Sequence, residues 1–125
     1  MNNLFSLMNK TETIIDGHFK LTSGKHSDIY LEKFRLLENP VILDQIGKLF
    51  YNELKQLSPD IVLGAAIGGI LLSNTVAKEF GTIGIFAERI NGQLNLKRGF
   101  EIGRKNKVLI IEDIVTTGGS IFELI

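Results

Sequence analysis

The chain has 125 residues, a single-domain length, and its 14 Lys and Arg balance 14 Asp and Glu to a formal net charge of zero. That balance excludes holding a nucleic-acid duplex or an anionic membrane by field strength alone, so any phosphate site must be local. Cysteine is absent, which removes disulfides, thiolate metal sites and thiol nucleophiles, and agrees with a reducing cytoplasmic setting.

The first residues, Met1 to Lys10, lack the basic start, apolar run and small-residue cleavage site of a secretion signal. Leu4, Phe5, Met8, Ile14 and Ile15 recur at helical spacing and predict an amphipathic helix ending before Asp16-Gly17. Two short strands follow, Phe19 to Thr22 and Asp28 to Leu31, joined by the turn-forming residues Ser23 to Ser27 as a hairpin outside the main sheet. Asn39-Pro40 opens a helix, because Asn caps free amides and Pro at the first position lacks only an N–H that has no partner there. Its apolar stripe runs through Ile42, Ile46, Leu49, Phe50, Leu54 and Leu57 to Pro59.

Three short apolar runs then predict strands buried on both faces: Ile61 to Ala65, Ile83 to Ala87 and Val108 to Ile111. A helix from Gly68 to Phe80 separates the first two, the order that yields a parallel sheet. The stretch from Ile61 to Leu72 is too short to span a membrane and is broken by Gly64, Gly68 and Gly69. Glu88 to Lys107 is polar, with Asn91-Gly92 favouring a tight hairpin turn, and reads as an excursion from the sheet.

Chemistry concentrates in Glu112-Asp113-Ile114-Val115-Thr116-Thr117-Gly118-Gly119-Ser120, which runs from a strand end into a helix start. Gly118 and Gly119 let backbone amides converge, Thr116, Thr117 and Ser120 add hydroxyl donors, and the helix beginning at Gly119 and Ser120 favours an anion. Two carboxylates beside a phosphate are unfavourable unless they serve another part of the ligand. A vicinal diol of a sugar answers this, and negative charge there would favour a cation forming at the anomeric carbon. Neither a Walker P-loop nor a dinucleotide fingerprint is present.

This pattern of a hydrophobic strand, two acids, two apolar residues and Thr-Thr-Gly-Gly-Ser resembles the type I phosphoribosyltransferases. The resemblance implies that Glu112 through Ser120 hold the 5′-phosphate and ribose of phosphoribosyl pyrophosphate. Gly17 to Leu31 resembles the N-terminal hood of the orotate phosphoribosyltransferases within that family, whose counterparts of Tyr30 border the orotate pocket. By the same likeness Gly64-Ala65-Ala66-Ile67-Gly68-Gly69 is the pyrophosphate loop, with Ala66, Gly68 and Gly69 facing the anion. Ala87 to Gly92 and Leu96 to Glu101 resemble the mobile catalytic hairpin, with Arg89, Lys97 and Arg98 reaching the pyrophosphate across a homodimer interface. Asp113 joins these as a catalytic residue, and Thr116 and Tyr30 as orotate-binding residues. His18 and His26 invite acid–base work or a metal pair, but eight residues apart on a hairpin they are poor evidence for either, and His18 reads as structural.

The resemblance implies an α/β fold with a parallel sheet and flanking helices, residues 1–38 forming the hood segment and residues 39–125 a partial core. It also implies transfer of ribose 5-phosphate to orotate, with Mg2+ as cofactor, no all-protein metal site, and no nucleic-acid or membrane partner. Alternatives are a phosphoribosyltransferase for another base, or a donor-binding module without turnover. Thr22 stands where many relatives carry a pyrophosphate-binding lysine, and Ala65 where they often carry proline. The match spans about two-thirds of the family's length. The family's C-terminal strands, and an arginine that grips the orotate carboxylate, fall beyond Ile125. The expectation is therefore a fragment or truncated product that by itself binds donor weakly.

Overall fold

A computed structural model describes residues 2–125 as two compact units that divide within one helix, after Ile42. In the first unit, helix α1 (Asn2–Lys10) ends where the Thr11 hydroxyl donates to the Leu7 carbonyl at 2.8 Å. Strands β1 (Ile14–Lys20) and β2 (His26–Leu31) form an antiparallel hairpin, with Phe19 and Tyr30 in ring contact at 5.4 Å. Ile14 and Ile15 thus belong to β1 and not to α1. Their helical spacing is fortuitous, since two adjacent β-branched residues fit a pleated strand at least as well. A short helix, α2 (Phe34–Leu37), was not foreseen from the sequence and carries the buried pair Leu36 and Leu37.

Helix α3 (Pro40–Leu54) starts where the sequence predicts, with Asn39 Oδ1 accepting from the amides of Val41 at 3.0 Å and Ile42 at 3.3 Å. A 3-10 turn over Lys55–Leu57 follows. The second unit is built on β3 (Ile61–Ala65), α4 (Gly68–Phe80), β4 (Ile83–Ile90), β5 (Gln93–Leu96), β6 (Val108–Ile111) and α5 (Gly119–Leu124). The strands lie in the order β5-β4-β3-β6, with β3 parallel to both β4 and β6 and β5 antiparallel to β4.

Two expectations are corrected here. The segment after Ala87 does not leave the sheet: β4 continues to Ile90, turns at Asn91-Gly92 and returns as β5, so the hairpin extends the sheet. Only β3 is buried throughout, whereas β4 and β6 are partly exposed, because β4 runs out past its parallel partner and β6 lies at the sheet edge.

Alternation along β3 separates two packing faces. Ile61 and Leu63 join Ile85 and Ala87 in a cluster against which Leu94, Phe100, Val108, Ile110 and Leu124 pack. On the other face α4 lies so close to β3 that a Cβ on Gly64 would stand 2.8 Å from the Gly69 carbonyl carbon. Only glycine permits this approach, and it fixes the start of α4 directly above the end of β3. The backbone between Asp60 and Lys107 registers β6 beside β3: each amide donates to the other residue, to the Lys107 carbonyl and the Asp60 carboxylate, both at 2.8 Å.

Candidate functional site

The strand order determines where a ligand can lie. The chain leaves β3 through α4 toward β4 on one side, yet β6 pairs with β3 on the other. Loops that follow β3 and β6 therefore open from adjacent strand ends, and such a reversal leaves a crevice beyond the carboxyl ends of the sheet. The peptide between Ala66 and Ile67, in the first of these loops, is cis.

The second loop is the one singled out from sequence. Ile111 at the end of β6 is buried, whereas Ile114, Val115, Thr116 and Thr117 are exposed. Gly118 then adopts the left-handed conformation, with φ 82 and ψ 10, and passes the chain into α5. That φ is readily available only to a residue without Cβ. Gly118, the residue that precedes α5, has no side chain with which to cap it. The Thr117 hydroxyl accepts a long contact from the Gly119 amide at 3.4 Å. A depression of about 220 Å³ lies over this turn, lined by Glu112, residues 114–121 and Glu123.

The two acids diverge. Glu112 lines the depression and its Oε1 accepts from the Asp113 amide at 3.0 Å, which holds the carboxylate in place. Asp113 instead turns toward the start of α4, where its carboxylate packs on Gly68. Asp113 of the loop after β6 and Gly68 of the loop after β3 are thus brought together. A carboxylate at a helix N-terminus is favourably placed in the field of the helix dipole.

The basic residues of the β4–β5 hairpin are engaged elsewhere in the chain. Arg89 donates to the Gly92 carbonyl at 2.7 Å and to both oxygens of Glu123 at 3.3 Å. Arg98, just after β5, makes a two-pronged pair with Glu88, Nε to Oε2 at 2.9 Å and Nη2 to Oε1 at 2.8 Å. The Arg98 guanidinium holds the Glu88 carboxyl below the usual carboxylate range, and Glu88 in turn raises Arg98. Lys97 is exposed beside this pair. Arg89 therefore reaches the rim of the depression through Glu123, while Lys97 and Arg98 do not line it. Glu123 escaped the sequence reading. Its only signal is its place three residues after Ser120 on the same short helix.

Tyr30 lies in the N-terminal unit, on the hairpin, with its ring on Phe19 and nearly half its surface exposed. Among the described residues no three His, Asp or Glu side chains gather as a metal cage, and no helix is long and apolar enough to cross a membrane.

Residues 34–125 match the phosphoribosyl transferase domain. The orotate phosphoribosyltransferase of Caldanaerobacter subterraneus is 42% identical over 122 residues, 98% of this chain and 64% of that protein. The chain thus spans slightly less than two-thirds of that relative's length. Among solved structures, orotate phosphoribosyltransferase from Aeropyrum pernix superposes with a TM-score of 0.70 at 22% identity, over 96% of this chain and 69% of that one. Leishmania donovani UMP synthase does so with a TM-score of 0.77 at 22% identity, over 98% of this chain and 27% of that one.

Proposed function

The chain belongs to the phosphoribosyl transferase domain family, and from that premise we propose that it binds phosphoribosyl pyrophosphate and serves the transfer of ribose 5-phosphate to N1 of orotate. The observation that carries this reading is the uncapped turn at Gly118–Ser120 with Glu112 on its rim, joined to 42% identity with an orotate phosphoribosyltransferase. In the reaction the bond from the anomeric carbon to the pyrophosphate oxygen breaks and pyrophosphate leaves with the electron pair. A bond to orotate N1 forms, and the N1 proton passes to solvent.

Each part of the site has a role in that chemistry. Amides and hydroxyls of residues 116–120 hold the 5′-phosphate, the most strongly charged fixed point of the donor. Glu112 accepts hydrogen bonds from the ribose hydroxyls, and Asp113 adds negative charge that favours a cation developing on the ring. Ala66, Gly68 and Gly69 border the pyrophosphate. Arg89, Lys97 and Arg98 neutralise the departing group, in the simplest arrangement across a homodimer, and the family likeness assigns Thr116, and on the hairpin Tyr30, to recognition of the base. Such an enzyme would work in the cytoplasm.

The donor set also bears on Mg2+. Glu112 and Asp113 offer hard oxygen ligands but diverge, and no cage of three carboxylates is built among the described residues. That arrangement fits an ion carried in by the diphosphate, which keeps several waters and takes one or two carboxylates. When bound, Mg2+ would offset charge on the leaving group.

The test is calorimetric titration of phosphoribosyl pyrophosphate with Mg2+, followed by an assay of orotate-dependent pyrophosphate release. Saturable binding, weakened at least tenfold in Thr117→Ala together with Gly118→Ala, is the expected result. Binding indifferent to both changes would remove the phosphate assignment. Release of pyrophosphate with adenine but not orotate would replace the base.

A further inference from the structure

We propose that His18 and His26 form a two-imidazole chelate for a divalent transition-metal ion of the Zn2+, Ni2+ or Cu2+ class, presented on the N-terminal hairpin. The strand pairing creates the site. Asp16 pairs with Ile29 and Phe19 with Ser27, so β1 takes three steps where β2 takes two, and the extra residue places Gly17-His18 in a bulge. Bulges redirect side chains that a regular ladder would keep apart. Here the result is that His18 Nε2 stands 2.6 Å from His26 Nδ1, with the two rings at 75° and centroids 4.8 Å apart.

Two imidazole nitrogens that converge in this way share one proton between them, and a metal ion can take that proton's place. A tetrahedral ion with metal–nitrogen bonds of about 2.0–2.1 Å holds two ligand nitrogens roughly 3.3 Å apart. The rings would therefore part by roughly 0.7 Å, a small rotation for two exposed side chains on a backbone already fixed by the ladder. Neutral imidazole selects borderline first-row ions over Mg2+ and Ca2+, which prefer oxygen.

The surroundings fit a labile ion. Ser27 and Asp28 line the same surface depression as the two histidines, and Asp28 supplies negative charge. Lys20, the register partner of His26, and Lys25 oppose it, but both are exposed and screened by salt. With no third His, Cys, Asp or Glu placed to complete a cage among the described residues, water or an incoming ligand fills the remaining positions. The ion is then exchangeable and not structural.

The experiment is titration of Zn2+ alone into the full chain in buffer free of phosphate and chelators, with ring-nitrogen NMR on the unsubstituted protein. One equivalent should bind, shift the ring nitrogens of both histidines, and bind at least tenfold more weakly in His18→Gln and in His26→Gln. Lowering the pH should weaken binding, because protons compete for the same lone pairs. Absence of a saturable Zn2+ site, a ring shift confined to one histidine, or affinity unchanged by either substitution would overturn the proposal. Because the NMR readout needs no variant, a folding defect in either substitution leaves the test intact.

Discussion

Gly68, the first residue of α4, lies flat against the carboxylate of Asp113, so closely that a Cβ on residue 68 would stand 2.6 Å from Asp113 Cγ. This contact joins the loop after β3 to the loop after β6. Gly68→Ala must displace either the carboxylate or the helix start, and overpacking of this kind costs about 1–3 kcal/mol. Urea unfolding should show that loss, and donor titration a fall of at least tenfold. Near-normal values in both would mean that the two loops are not held together by this packing.

Gly118 adopts φ 82 where the loop after β6 enters α5. An alanine there must accept the left-handed conformation at about 1–2 kcal/mol or reshape the turn. Because the amides beyond it would turn with the backbone, Gly118→Ala is expected to lower phosphoribosyl pyrophosphate affinity more than it lowers the unfolding midpoint. A proportionate loss in the two would point to general destabilisation.

Acid should weaken the second unit through Asp44. Hydrogen bonds from Lys78, and then from Lys48, hold the Asp44 carboxyl at about 2, below its ordinary 3.8. The folded value lies below the unfolded one, so the stabilisation is complete above 3.8 and is lost as pH falls to about 2. Lys78 is raised by the same contact, and its share is present below 10.5 and lost above its shifted value. Asp44→Asn should flatten the decline of the urea midpoint over this acid window, and an unaltered slope would assign the decline to other carboxylates.

Arg89 and Glu123 make an exposed pair, with side chains 44% and 42% accessible. Breaking such a pair changes stability by at most about 1 kcal/mol. If Arg89 contacts the leaving group, Arg89→Gln should lower kcat at least tenfold while Glu123→Gln does not, with unfolding curves for both close to the parent. Equal effects on kcat would reduce Arg89 to a strut.

Gly47 on α3 provides a control remote from the chemistry. A Cβ there would stand 2.8 Å from Thr75 Oγ1 and 3.0 Å from the Thr75 carbonyl oxygen, and the same hydroxyl donates to the Leu43 carbonyl at 3.2 Å. Gly47→Ala should cost about 1–3 kcal/mol by forcing α3 off α4. Thermal unfolding would register it, while donor affinity measured well below the midpoint stays unchanged.

Much of this was legible in the residues because local signals and tertiary demands agreed. Asn39-Pro40 fixed a helix start through capping, and Thr-Thr-Gly-Gly-Ser after two acids located the turn where β6 meets α5. Ile14 and Ile15 misled because helical spacing in a short window cannot separate a last helical turn from a first strand residue. The β4–β5 hairpin was found, but its membership of the sheet was not, since polar strand residues such as Arg89 and Asn95 carry little hydrophobic alternation. Glu123 carried no signal beyond its place on the short helix after Ser120. Its importance lies in a contact with a residue 34 positions earlier, which only the folded chain reveals.

The Arg89–Glu123 tether links the β4–β5 hairpin to the loop after β6, because one end of it sits on the helix that this loop begins. By reciprocity, whatever factor an occupant of the turn contributes to loosening that tether is the factor by which freeing the hairpin tightens the occupant's hold. If loading of the turn breaks that contact, two exposed side chains suffice to couple the turn to the hairpin, with no rearrangement of the sheet beneath them.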